Sequence, residues 1–166
     1  MSFKDAMSSI ANTVSVLAVR NTHEHVHACT ISSLVSVSVV EDNEAVLFVL
    51  KKNSKIGTLI REHGHFSINV LGEGQSSYAS EYSSSRNGEF VSQSKWAPQG
   101  NEFVRLIDCK VFFACTIEKI IDEWSSDLYI ARVMSLELNS DGTCLIHKNR
   151  SFGFLDPISE SFKTLS

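Results

Sequence analysis

What most constrains the fold of this chain is a run of strand-like segments with hardly a helix between them. Residues 13–19 are rich in β-branched side chains, and a polar turn over residues 21–24 leads into a second strand. From Ser33 the chain alternates, with Val35, Val37 and Val39 facing one way and Ser36 and Ser38 the other. Residues 45–50 form a short unbroken apolar run, as expected of a strand covered on both faces. Residues 66–71 read as another strand, closed by Gly72 and Gly74. Ile107, Cys109, Val111, Phe113, Cys115 and Ile117 share one face of a long strand, and residues 128–138 and 144–147 supply the last two. Strands that follow one another directly predict a mainly β, antiparallel barrel with a few peripheral helices, not a doubly wound sheet.

Three segments read as helical. Phe3, Met7, Ile10 and Ala11 recur at helical spacing. Ile56, Leu59 and Ile60 mark a short helix with Asn53 or Ser54 as its N-cap. The serine-rich stretch over 76–85 also carries Tyr78, Ala79 and Tyr82, which suits a short helix followed by a loop. A long loop is expected over residues 86–102, anchored by Trp96.

At 166 residues, 43% of them hydrophobic and 20% charged, the chain has the size and composition of one domain with its own core. The expected boundaries are residues 1–154 for that domain and 155–166 for a C-terminal tail. A net charge of -4 argues against general nucleic-acid binding, which needs cations to neutralise phosphates. No apolar run reaches membrane-spanning length, so no membrane partner is expected. Cys29, Cys109, Cys115 and Cys144 are scattered without a CxxC pair, and the N-terminus lacks the apolar core of a signal peptide. A cytoplasmic protein with reduced thiols is the expectation.

Three constellations could carry chemistry. Thr30, Ser32, Ser33, Ser36 and Ser38 place uncharged hydroxyls beside apolar neighbours, which suits a neutral, hydrogen-bonding aromatic ligand with a polyol tail. A solvated, serine-rich strand face explains the same pattern. Lys51, Lys52, Asn53, Ser54 and Lys55 stand directly before a helix, where N–H groups, a hydroxyl and ammonium groups favour an anion such as phosphate. A capped helix with solvated lysines is the alternative. His23, His25, His27 and Cys29 would share one face of a strand, but a flat strand cannot wrap four ligands around one tetrahedral ion, so no metal site is assigned. No Gly-x-Ser-x-Gly elbow or nucleophilic cysteine motif occurs, and the carboxylates are scattered. No catalytic residue is therefore named.

In order along the chain, several segments resemble those of the short-chain flavin reductase family, whose fold is the FMN-binding split β-barrel. Phe3-Lys-Asp-Ala-Met7 and Ala11-Asn-Thr-Val-Ser-Val-Leu17 resemble its first helix and strand. Cys29-Thr-Ile-Ser-Ser-Leu34 and Val35-Ser-Val-Ser38 are similar to its Met-Thr-Ala-Ser-Ser-Phe and Thr-Ser-Val-Ser run. Leu50-Lys-Lys-Asn-Ser-Lys-Ile56 resembles its Ser-Arg-Thr phosphate segment, and Phe66-Ser-Ile-Asn-Val-Leu71 its Phe-Ala-Val-Asn-Val-Leu strand. Leu106-Ile-Asp-Cys-Lys-Val111 and Cys144-Leu-Ile-His147 resemble two later strands, so the likeness covers residues 3 to 154.

The resemblance implies that Thr30, Ile31, Ser32 and Ser33 line the flavin ring and ribityl chain, with Ser36 and Ser38 on the same strand. It implies that Ser54 and Lys55 hold the phosphate, with Lys52 and Asn53 adjacent. It further implies a homodimer, FMN or FAD as cofactor, NAD(P)H as co-substrate, and a partner monooxygenase that receives reduced flavin. The chain departs from the family pattern at Ile31, usually alanine, at Ile56, usually threonine, and at residues 39–44, which lack an Asp-Pro-Pro turn. The family's Gly-Asp-His motif is replaced by Trp124-Ser-Ser126. Two further readings follow: a non-catalytic flavin- or haem-binding split barrel, acting as carrier or sensor, and a barrel without cofactor that works through protein contacts.

Overall fold

The computed structural model describes the chain apart from residues 22, 24, 85–89, 140, 141, 157–160 and 166. In chain order, α1 (Phe3–Ser8) leads to β1 (Asn12–Thr13), β2 (Ser15–Arg20), β3 (Val26–Ile31), β4 (Val35–Ser38) and β5 (Ala45–Lys51). Helix α2 (Lys55–His63), β6 (His65–Val70) and α3 (Ser76–Ser84) follow, then β7 (Phe90–Val91), β8 (Trp96–Gln99) and β9 (Phe103–Leu106). The long strands β10 (Val111–Glu123) and β11 (Ser126–Leu138) precede β12 (Ile146–Lys148), β13 (Ser151–Asp156) and β14 (Ser161–Thr164).

Eight strands form one sheet in the order β4-β5-β11-β10-β6-β2-β3-β7, antiparallel throughout. A four-stranded sheet, β1-β12-β13-β14, ties the two ends of the chain together, and β8 and β9 form a hairpin. Strand β2 shows why the large sheet has two cores. Leu17 and Val19 join Phe48, Phe66, Ile68 and Tyr129, while Val16 and Ala18 join Ala79, Tyr82, Trp96 and Leu106. Alternation sends successive side chains to opposite faces, so a central strand covered on both sides is buried along almost its whole length. In the first core Phe48 stacks on Tyr129 at 5.1 Å and meets Phe66 edge-on at 5.4 Å. Helix α2 closes that core with Ile56, Leu59 and Ile60; Ser54 caps its start, and Gly64 ends it at φ 74, a conformation that glycine adopts without steric cost.

The expected mainly β, antiparallel architecture with peripheral helices is present, with differences of detail. The strand read over residues 13–19 is two strands in two sheets, because Val14 crosses between them, donating to Leu145 and accepting from Leu71. Strand β5 buries Val46, Phe48 and Leu50 but leaves Ala45, Leu47 and Val49 half-exposed, so only one face is fully covered. Strand β4 is short, bulged between Ser36 and Ser38, and exposed along most of its length. The strand read from Ile107 begins only at Val111, because Asp108 takes φ 61 in a turn that Cys109 closes onto Leu106. The expected loop over 86–102 contains β7 and β8, with Trp96 buried at the start of β8; residues 85–89 lie outside the described residues, as do 22 and 24 of the expected polar turn. Within the expected tail, β13 ends and β14 pairs with it. Helix α1 carries its capping box as a helix should, yet Phe3, Met7 and Ile10 remain exposed. No helix among the described residues is long and apolar enough to cross a membrane.

Candidate functional site

A cavity of about 440 Å³ opens between the end of β3, the end of β5 and the start of α2. It brings Thr30, Ile31, Ser32 and Ser33 against Lys51, Ser54 and Ser126, with Tyr82 and Ser83 of α3 on the remaining side. The volume lies within the range of small-molecule sites. Antiparallel pairing of Lys51 with Ser126 explains why the β10–β11 hairpin contributes to a wall built mainly from the first third of the chain. Lys51 belongs to the segment read as an anion seat, whereas Ser126, Tyr82 and Ser83 were not anticipated as part of this wall. Only the register of that hairpin and the docking of α3 place them here.

Each anticipated residue has a definite station. Thr30 donates its hydroxyl to the Ala79 carbonyl at 2.9 Å, which fastens β3 to α3. Ile31 is buried, and Ser32 is exposed at the cavity wall. The Ser33 hydroxyl accepts from the Val49 amide at 3.0 Å and donates to the Val49 carbonyl at 3.3 Å. Ser36 and Ser38 do not line this cavity, and Ser38 Oγ accepts instead from the Val40 amide. Ser54 is buried and caps α2, its Oγ accepting from the Gly57 amide at 3.2 Å. The Thr58 amide takes the Ser54 carbonyl, so the amides of Lys55 and Ile56 are the first-turn donors left without a partner inside the helix. The Lys55 side chain is exposed and lines neither this cavity nor its neighbour.

Lys52 and Asn53 line a second cavity, about 310 Å³, on the far side of Ser54. Lys52 pairs with Asp122, and Asn53 takes φ 58, the left-handed conformation that asparagine tolerates. In the same wall Arg61 holds Asp127 at 2.7 Å and lies 5.6 Å from the centre of the Tyr129 ring.

Two titratable groups of the first cavity are held in their neutral form. Burial pushes the Cys29 thiol up to about 12. The Tyr82 phenol is also pushed up to about 12, by burial first and then by the charge of Glu81. Both groups are therefore neutral at physiological pH, and neither is a nucleophile. His27 and Cys29 occupy buried positions of β3, whereas His23 and His25 lie before the strand. No group of three or more metal-binding side chains occurs among the described residues. What remains is a wall of hydroxyls and amides leading to a helix start beside lysines, able to hold a neutral ring and an anion.

The sequence matches the flavin reductase like domain over residues 7–156. It is 25% identical over 154 residues to the NADH-dependent flavin reductase StyB of Pseudomonas fluorescens, covering 91% of this chain and 88% of that one. It is 28% identical over 129 residues to an NADH:riboflavin 5'-phosphate oxidoreductase of Streptomyces pristinaespiralis, covering 78% of this chain and 72% of the other. In structure it resembles the styrene monooxygenase flavin reductase of Pseudomonas putida S12, with a TM-score of 0.82 at 22% identity over 100% of this chain and 99% of that one. It also resembles BorF, the flavin reductase component of a bacterial two-component tryptophan halogenase, with a TM-score of 0.81 at 22% identity over 90% and 93% of the two chains. These likenesses fix the architecture as a split β-barrel. Matched along nearly its whole length by that one domain, the chain belongs to the flavin reductase-like family.

Proposed function

We propose that this protein is an NAD(P)H:flavin oxidoreductase that binds FMN or FAD and hands the reduced flavin to a separate monooxygenase or halogenase. The observation that carries the reading is the 440 Å³ cavity, which joins residues 30–33 to the start of α2. The donor set fits a flavin. Neutral hydroxyls and amides suit a ring and ribityl chain, and the amides of Lys55 and Ile56, with Ser54 and the nearby lysines, suit a phosphate. When bound, the flavin supplies the redox chemistry, accepting hydride from the nicotinamide.

The chain's own residues bind and orient. Ile31 and Leu50 offer apolar surface to a ring, and Ser32 and Ser126 offer hydroxyls at the wall. Thr30 and Ser33 act mainly by holding β3 against α3 and β5. No side-chain acid or base is needed for hydride transfer, and alignment of two rings lowers the barrier by proximity. Trp124, Ser125 and Ser126 stand where the family carries an imidazole, so nicotinamide alignment here relies on other groups.

The protein is a cytoplasmic homodimer in this reading. Val35, Leu47 and Ile130 are adjacent across β4, β5 and β11, and Val49 and Leu128 continue the row. Val35 is exposed and the other four are half-buried, which leaves an apolar sheet face for a second copy to cover. Val49 belongs both to that face and to the cavity wall, which supports a flavin seat beside the proposed subunit contact.

Purified protein titrated with FMN, FAD and riboflavin, then mixed with NADH or NADPH and excess flavin, tests the reading. Flavin-dependent loss of reduced-nicotinamide absorbance is the expected result. Flavin binding without nicotinamide oxidation establishes the carrier or sensor instead, and no flavin binding overturns the assignment of the cavity.

A further inference from the structure

Three features that cost stability meet between α2 and β11. Gly57, in the first turn of α2, is a poor helix former. It leaves room for the Tyr129 hydroxyl, because a Cβ there would lie 2.7 Å from that oxygen and 2.8 Å from Ser54 Oγ. Asp127 is a carboxylate only 6% exposed, and its removal from water is unfavourable unless it is paired. Tyr129 buries a polar phenol in an aromatic core, stacked on Phe48. Departures of this kind gather where a structure is held to one geometry.

Asp127 and Tyr129 share one face of β11, and they take hold of α2 at both ends. Asp127 accepts from the Arg61 guanidinium at 2.7 Å, in the last turn. Tyr129 sets its hydroxyl against Gly57, in the first. Arg61 also lies 5.6 Å from the centre of the Tyr129 ring, which ties the two anchors together. Ser126, one residue before Asp127, lines the first cavity, and so does Leu50, the cross-strand partner of Asp127. The strand that grips α2 therefore also builds the wall that the helix start faces. Ser54 takes up the amides of Gly57 and Thr58, which leaves those of Lys55 and Ile56 for a ligand. Hydrogen bonds weaken steeply as their angle worsens, so the rotation of α2 decides how well those two amides serve.

We propose that Arg61 and Asp127 are positioning residues, whose ion pair, with Tyr129 against Gly57, fixes the rotation of α2 so that the Lys55 and Ile56 amides stay aimed at the phosphate of a bound flavin. The assignment rests on the flavin reading of the first cavity. Neither Arg61 nor Asp127 lines that cavity, so each acts through the helix and not by touching the ligand. An apolar pair of similar volume would hold α2 as firmly without selecting one rotation.

The test titrates the intact protein with FMN and with riboflavin, which differ only in the phosphate, and follows urea unfolding alongside. Asp127→Leu frees the Arg61 cation. A guanidinium acting by charge or by direct contact would then bind FMN more tightly. Loss of positioning instead weakens FMN roughly tenfold and leaves riboflavin unchanged. The double variant Arg61→Met with Asp127→Leu keeps the net charge and an unfolding midpoint close to the parent's, and it carries the test if Asp127→Leu does not fold. The same selective loss of FMN is expected in it. FMN affinity at or above the parent's in either folded variant overturns the positioning role. Equal losses for the two ligands also overturn it, since they belong to a merely structural pair. A parent that binds FMN and riboflavin equally overturns the phosphate seat, and a parent that binds neither overturns the flavin reading; the positioning role falls with each.

Discussion

Ser33→Ala is the substitution whose effect follows most directly from the geometry. Strand β4 pairs with β5 from Val35 opposite Leu47, and the next rung outward sets Ser33 opposite Val49. There the backbone of the first segment no longer bonds across, and the Ser33 hydroxyl takes over, accepting from the Val49 amide and donating to the Val49 carbonyl. One side chain thus does the work of a ladder rung. Each such bond contributes about 1 kcal/mol net, and both are lost in alanine. The site borders the cavity, so water can reach the abandoned groups, and a loss of about 1–2 kcal/mol is expected rather than the full cost of burying them unpaired. For a chain of this size that lowers Tm by about 2–4 °C per kcal/mol. Urea unfolding of the flavin-free protein measures it, with Ser33→Thr, which keeps the hydroxyl, expected to retain most of the stability. An unchanged midpoint in Ser33→Ala would refute the rung and leave the hydroxyl to the ligand.

Lys51→Ala should weaken FMN binding roughly ten- to a hundredfold by removing a cation from the wall of the first cavity, and leave riboflavin, which lacks the phosphate, unaffected. Equal losses for the two ligands in parallel titrations would remove Lys51 from the phosphate seat. Gly57→Ala should destabilise the fold by about 1–3 kcal/mol despite alanine's better helix propensity. Its Cβ would come within 2.7 Å of the Tyr129 hydroxyl and 2.8 Å of Ser54 Oγ, and a thermal midpoint at or above the parent's would contradict that clash. Burial raises the Cys29 and Cys115 thiols to about 12 and, as the largest influence, the Cys109 thiol to about 11, against an ordinary 9.0. The folded state then keeps protons that the unfolded chain releases. Stability is full below pH 9.0 and falls from there toward pH 12, by on the order of 1 kcal/mol per pH unit for each thiol. Urea midpoints compared across that range in the parent and in Cys115→Ala measure it, and equal slopes would count against the buried thiol.

The alternation of β-branched residues and the spacing of Ile56, Leu59 and Ile60 were legible because period and capping are local properties. The segments at 30–33 and 51–54 could be singled out on composition, and they do meet at one cavity. Their individual tasks could not be read. Thr30 and Ser33 look like ligand hydroxyls in a string of letters, yet they are engaged by Ala79 and Val49, and those partners depend on where α3 and β5 come to lie. Lys52 reads as a free cation until the β10–β11 hairpin brings Asp122 beside it. Asp108 at φ 61 broke the strand read from Ile107, since an aspartate in the left-handed region leaves no mark in hydrophobic periodicity.

The pairing of β1 with β12 makes the order of events in folding asymmetric. Asn12 bonds opposite His147, and Asp5 meets Arg150 across a sequence separation of 145. A ribosome delivers the first of these residues long before the second exists, so the opening segment has nothing to hold it while the central sheet assembles. Closing so large a loop carries a heavy entropic cost before any contact repays it, which places this seam among the last steps of folding. The segment around Asn12 therefore gains its strand partner only once the residues around His147 have been made and the central sheet has formed.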